Sequence, residues 1–80
     1  MRKHPLIEMN PAVMTGKPVI KGTRITVDII LRKLSSGATV EEILEDYPNL
    51  TIESILAAES FAADFIADEE IVVYSEKLNA

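Results

Sequence analysis

Residues 16–27 read Gly-Lys-Pro-Val-Ile-Lys-Gly-Thr-Arg-Ile-Thr-Val, and glycines, lysines and threonines at this density are the materials of a phosphate loop. Such a loop needs a glycine five residues ahead of its Gly-Lys pair and a hydroxyl residue straight after the lysine. It also needs backbone N–H groups free to cradle the phosphates. Here the first position is Pro11 and the residue after Lys17 is Pro18, which has no N–H to offer. Nucleotide hydrolysis is excluded on both counts. Nucleophilic catalysis fares no better, because a serine needs a base and an orienting group in reach. His4 is the lone imidazole and sits where a terminus is expected to fray. There is no cysteine to make a thiolate site or a disulfide. Asp64 and Asp68 stand at i,i+4 on one helix face, a spacing that can share a cation but more commonly is a solvated face. The expectation is a non-enzymatic protein with no metal and no cofactor.

The chemistry left is recognition. Two helical segments around 40–47 and from 52 onward, joined by a Pro-Asn-Leu turn, have the lengths and spacing of a helix–turn–helix. A second helix that reads the major groove carries Arg, Asn, Gln or Lys near its start. This one offers Thr51, Glu53, Ser54 and Glu59, and carboxylates facing phosphates oppose binding. If DNA is bound, the candidate contacts are instead Lys17, Lys21, Arg24, Arg32 and Lys33. The competing reading of these five is solubility, with Arg24 paired to Asp28.

Charge is divided along the chain. Residues 1–33 hold seven cations against Glu8 and Asp28, a net of +5, while residues 34–80 hold only Lys77 against eleven acids, a net of −10. Halves of opposite sign point to partners of opposite sign, although acids also simply solvate helix surfaces. With 80 residues, 48% of them apolar, and no staple, the chain is one domain with a thin stability margin. A homodimer or another protein partner that completes the core is expected. No apolar run reaches the roughly 20 residues that span a bilayer, and residues 2–10 lack the apolar stretch of a signal peptide. The expected location is cytoplasmic, away from any membrane.

The elements that must position these side chains follow from local signals. Residues 6–27 form a β-hairpin region: a short strand within Leu6–Asn10, a turn at Gly16, Val19-Ile20 as strand, a second turn at Gly22, and extended chain resuming at Arg24. Residues 27–67 form a three-helix core. Val27, Ile30, Leu31 and Leu34 share one helical face, with Thr26 as N-cap and Gly37 as the left-handed stop. Thr39 and Glu42 form a capping box, and Pro48 ends that second helix. The third helix is expected from Ile52 to Ala67, its alanines beside Phe61 and Phe65 forming core or a dimer seam. Residues 68–80 are an acidic and apolar tail in which Ile71-Val72-Val73-Tyr74 reads as a C-terminal strand.

Taken together, Asn10-Pro11, Gly16-Lys17-Pro18-Val19-Ile20, Gly22-Thr23-Arg24-Ile25, Gly37, Glu41-Glu42-Ile43-Leu44, Asp46-Tyr47-Pro48 and Leu50-Thr51 resemble the bacterial domain-of-unknown-function family 433, over about Asn10 to Phe61. The resemblance implies a mainly α fold, a homeodomain-like or winged-helix-like three-helix core preceded by a short β-hairpin. It implies antitoxin-like proteins encoded beside PIN-like ribonucleases, with no established catalytic residues to carry over. Gly16, Lys17, Pro18, Gly22, Thr23 and Arg24 are structural or functional on this reading alike. An antitoxin of this kind would contact operator DNA through the basic half. It would clamp a basic toxin through Asp68, Glu69 and Glu70 together with Ile71, Val72, Val73 and Tyr74. The alternatives are a stand-alone homodimeric DNA-binding regulator and a plain dimer that exchanges tail strands.

Overall fold

Three helices follow a short two-stranded antiparallel hairpin. The structure is a computed structural model that describes the backbone of residues 4–79 and the side chains of residues 4–67. Strand β1 (Ile7–Glu8) pairs with β2 (Val19–Ile20) in the register Ile7 to Ile20 and Glu8 to Val19. After β2 the chain turns back on itself. The Ile20 N–H donates to the Ile25 carbonyl at 3.0 Å, and Val19 bridges to Thr26.

That second turn is held by one side chain. The Thr23 hydroxyl donates to the Ile20 carbonyl at 2.8 Å and accepts from the Ile25 N–H at 3.0 Å. Gly22 takes φ +80° at the position where a type II turn needs a residue without Cβ. The long connection between the strands also turns left-handed. Met14, Thr15 and Gly16 have φ of 49°, 54° and 84°, and each non-glycine residue in that region costs about 1–2 kcal/mol.

Helix α1 (Val27–Ser35) starts at Thr26, whose hydroxyl accepts from the Ile29 N–H at 3.3 Å. It ends in a Schellman motif. Gly37 at φ +98° lets its N–H reach the Leu34 carbonyl at 3.1 Å, and Ala38 reaches Lys33 at 3.0 Å. Helix α2 (Val40–Asp46) carries the capping box: the Thr39 hydroxyl accepts from the Glu42 N–H at 3.1 Å, and the Glu42 carboxylate accepts from the Thr39 N–H at 2.8 Å. Helix α3 (Ile52–Asn79) starts with a similar exchange between Thr51 and Ser54.

The core lies where the three helices meet the hairpin. Ile20, Val27, Ile30, Ile43, Leu50, Ile55 and Ala58 are buried together, and Ile7, Leu34, Tyr47 and Phe61 pack around them. One apolar residue in three or four from each helix enters this cluster, as an amphipathic face dictates.

The C-terminal strand expected over Ile71–Tyr74 is helix instead, because α3 passes through Ala67 and continues to Asn79. β-branched residues cost only a few tenths of a kcal/mol each inside a helix. A helix that is already nucleated gains a hydrogen bond with every residue added. No glycine or proline stands between Thr51 and Asn79 to stop it. A dimer that exchanges tail strands therefore loses its strand. The boundary at residue 68 falls inside one helix.

Candidate interaction surfaces

Two surfaces carry the charge, and they are built differently. The five candidate cations of the N-terminal half are spread over three places. Lys17 precedes β2 and is exposed, at the end of the strand where the Val27 N–H donates to the Pro18 carbonyl at 2.9 Å. Lys21 and Arg24 are exposed on the Thr23-braced turn at the other end of β2, about 13 Å from Lys17 at ~3.3 Å per extended residue. Arg32 and Lys33 lie in the last turns of α1, where cations complement the helix dipole.

Three of the five already have carboxylates near them. Arg32 Nε lies 3.8 Å from Asp28 Oδ2 across one helical turn, both groups largely in solvent, so the pair is worth little. The Asp28 carboxyl is held below its ordinary value of 3.8, chiefly by a hydrogen bond from the Thr26 hydroxyl; burial opposes the shift, and Lys17 adds a lesser lowering. Asp28 thus belongs to Arg32 and Lys17 rather than to Arg24. Lys33 is the most constrained: its Nζ lies 3.5 Å from Asp46 Oδ2 and 5.5 Å from the centroid of the Tyr47 ring. That lysine ties the end of α1 to the end of α2 through an ion pair and a cation–π contact. Lys21 and Arg24 make no ion pair among the described residues, and of the five they are the pair best placed to meet an outside anion.

The second surface is α3. Its core-facing side carries Ser54, Ile55 and Ala58, all buried. Further along, Phe61 stacks on Phe65 at 6.1 Å and meets the His4 ring edge-on at 5.3 Å. His4 Nε2 is 2.9 Å from Asp64 Oδ2, so the N-terminal segment expected to fray is clasped to the helix at its fourth residue. Asp64 accordingly has an imidazole partner, and Asp68 at i+4 lies outside the residues whose side chains are described, as do the expected clamp residues Glu69, Glu70, Ile71, Val72, Val73 and Tyr74. Among the described residues no three His, Asp or Glu side chains converge as a metal site would require.

The feature that sequence reasoning passed over is on the opposite side of α3. Ile52, Leu56 and Ile66 are all more than half exposed there. The spacing of Ile52, Leu56 and Ile66 was available as a signal, but an apolar residue in a helix is ordinarily assigned to the core.

The chain belongs to the DUF433 family of proteins of unknown function, whose family model matches residues 7–62. A crystal structure of a DUF433 member protein from Anabaena variabilis ATCC 29413 superimposes with a TM-score of 0.72 at 33% sequence identity, over 84% of this chain and 68% of that one. The chain is also 33% identical over 57 residues to the uncharacterized protein y4eO of Sinorhizobium fredii (strain NBRC 101917 / NGR234). That match takes in 71% of this chain but 26% of the relative, so the chain spans about a quarter of that protein's length. No helix among the described residues is long and apolar enough to cross a membrane.

Proposed function

We propose that the protein is a non-enzymatic, antitoxin-like binding protein that neutralises a PIN-like ribonuclease in the cytoplasm and regulates its own operon. The observation that carries this reading is the composition of the C-terminal half: from Leu34 to Glu76 there is no Lys or Arg, while eleven acids fall within the same stretch. A surface of that sign recruits a basic partner and repels nucleic acid. The Asp68–Tyr74 segment continues the same helix; its Asp68, Glu69 and Glu70 are three of those eleven acids, and Ile71, Val72, Val73 and Tyr74 would add apolar residues to the contact. Regulation of the operon would fall to Lys21 and Arg24 on the exposed turn. Co-expression with the product of the adjacent gene tests the proposal. The partner is expected to co-purify and its toxicity to be relieved; neither co-purification nor relief would overturn it.

A stand-alone homodimeric DNA-binding regulator is the second reading, favoured by the tight α2–α3 turn and by Lys21 and Arg24, which make no ion pair among the described residues. It requires duplex binding that weakens steeply with salt and falls with Lys21→Glu and Arg24→Glu. A binding curve unchanged by both substitutions rules it out.

A further inference from the structure

On the exposed side of α3, residues 52, 56, 59, 63 and 66 follow each other at steps of four, three, four and three. That alternation is the repeat of a helix–helix seam, since it keeps one narrow stripe facing a partner helix turn after turn. The occupants are Ile52, Leu56, Glu59, Ala63 and Ile66, and every one is exposed. Ile52, Leu56 and Ile66 retain 55%, 58% and 56% of their accessible surface. Single exposed apolar residues need no explanation, but three of them set in seam register over about 21 Å of helix do. The core of this chain lies on the other side of α3, with Ile55 and Ala58, so no element of the chain's described fold covers the stripe.

The charges decide what does. Glu59 occupies the middle of the stripe and Glu53 its flank, and there is no Lys or Arg between Lys33 and Lys77. If a second copy docked its own stripe in parallel, Glu59 would stack on Glu59. If it docked antiparallel, each Glu59 would be pressed against Leu56 or Ala63 of the other copy. Either way two carboxylates lose water with no cation to receive them, and an ion buried without a partner is strongly unfavourable. A foreign helix with small and branched apolar residues at the same steps and one Arg or Lys opposite Glu59 meets both requirements. A single polar residue in an apolar seam also fixes register and partner choice.

We infer that the Ile52–Leu56–Glu59–Ala63–Ile66 face of α3 is the docking seam for a cationic amphipathic helix of a different protein, with its Arg or Lys set on Glu59. The inference deepens the binding-protein reading above and rests on it for the role of the partner, not for the chemistry of the seam.

The test uses the full chain and three synthetic 21-residue helical peptides, read by fluorescence anisotropy. One carries Leu and Ile at the seam steps with Arg at the central position and Lys on its outer face. A second has the same composition in scrambled order, and a third has the seam with Glu in place of every cation. The first should bind at least about tenfold more tightly than either of the others, a difference of roughly 1.4 kcal/mol. Leu56→Ala with Ile66→Ala should abolish that preference while the circular dichroism spectrum stays unchanged. Glu59→Lys should transfer the preference to the acidic peptide. Equal binding of the seam and scrambled cationic peptides would overturn the proposal, because attraction would then be charge alone. A dimer in light scattering that Leu56→Ala dissolves would also overturn it, by assigning the face to a second copy. Failure of the adjacent ribonuclease to co-purify while the peptide preference persists would remove the antitoxin role and leave the seam standing.

Discussion

Helices α1 and α3 begin alike, each with a threonine hydroxyl accepting from a backbone N–H three residues on, and then diverge. Helix α1 is nine residues long, buries Val27 and Ile30, and sets Asp28 and Arg32 in solvent. Its buried side packs on α3 and α2, Gly37 stops it, and of its large apolar residues only Ile29 is exposed, at 36%. Helix α3 runs 28 residues with no such stop. Over its first turns it buries Ser54, Ile55 and Ala58 while exposing Ile52 and Leu56 on the other side. A helix that served only the fold would resemble α1, with polar residues on its outer face. On the docking reading proposed above, the surplus apolar surface of α3 serves a partner outside the fold.

The largest effects should come from the sides of the two helices that are alike. Ile30 and Ile55 are 0% and 1% exposed in one cluster, and removing such a side chain to alanine costs about 2–5 kcal/mol. Both Ile30→Ala and Ile55→Ala should lower the urea midpoint by comparable amounts, and in a chain this small either loss consumes much of the stability. A loss at Ile55 below ~1 kcal/mol would break the comparison, since α3 would then be a helix leaning on the domain rather than part of it.

Next in size is the stop that α1 has and α3 lacks. A Cβ at Gly37 would meet nothing within 4 Å, yet φ is +98°, so the whole cost of Gly37→Ala is backbone strain. About 1 kcal/mol or slightly more is expected in urea unfolding. A neutral result would mean that α1 and α2 can be joined by a right-handed turn and that the Schellman geometry is dispensable.

These local devices are legible in the sequence because each is complete within six residues: Thr26 and Ile29, Thr39 and Glu42, Lys33 to Ala38. The hairpin is legible for the same reason, as Thr23 and Gly22 act on their immediate neighbours. The end of α3 is not. Ile71–Tyr74 has strand-like residues, but whether they form a strand depends on finding an open edge, and helix continuation needs no partner. The His4 clasp is invisible too, since its partners Phe61 and Asp64 lie about sixty positions away and no pattern around His4 marks them. At the candidate surfaces the sequence shows which residues are charged but not which are engaged. Lys33 looks like any cation at a helix end until α2 brings Asp46 and Tyr47 beside it.

On the outer side of α3 a small effect is the informative one. Leu56→Ala removes a side chain already in water, so unfolding free energy should move by no more than ~0.5 kcal/mol, against several at Ile55 one position away. The same denaturation experiment reads both. A loss of more than ~1 kcal/mol at Leu56 would show that the outer face supports the fold of this chain, which would erase the contrast with α1.

The smallest effect is a pH dependence confined to α1. The Asp28 carboxyl has its pKa lowered in the folded state, mainly by the Thr26 hydroxyl and next among the favourable influences by Lys17. The unfolded chain, where neither contact exists, holds the proton at the ordinary value of 3.8. Below that value the unfolded state binds more protons than the folded one, so stability rises with pH across the window between the two. The contribution is fully present above the unfolded value and is lost as pH falls through the lowered folded one. Asp28→Asn should therefore leave the shape of the stability curve unchanged above about pH 5, with a small constant loss, and flatten its acid limb below about pH 4. The carboxyl is half exposed and screened, which keeps the amplitude small. Urea midpoints at pH 3, 4 and 7 for the two chains measure it. Parallel curves at all three would mean that Thr26 spends its hydroxyl on capping alone, and that the start of α1 is tuned by packing rather than charge.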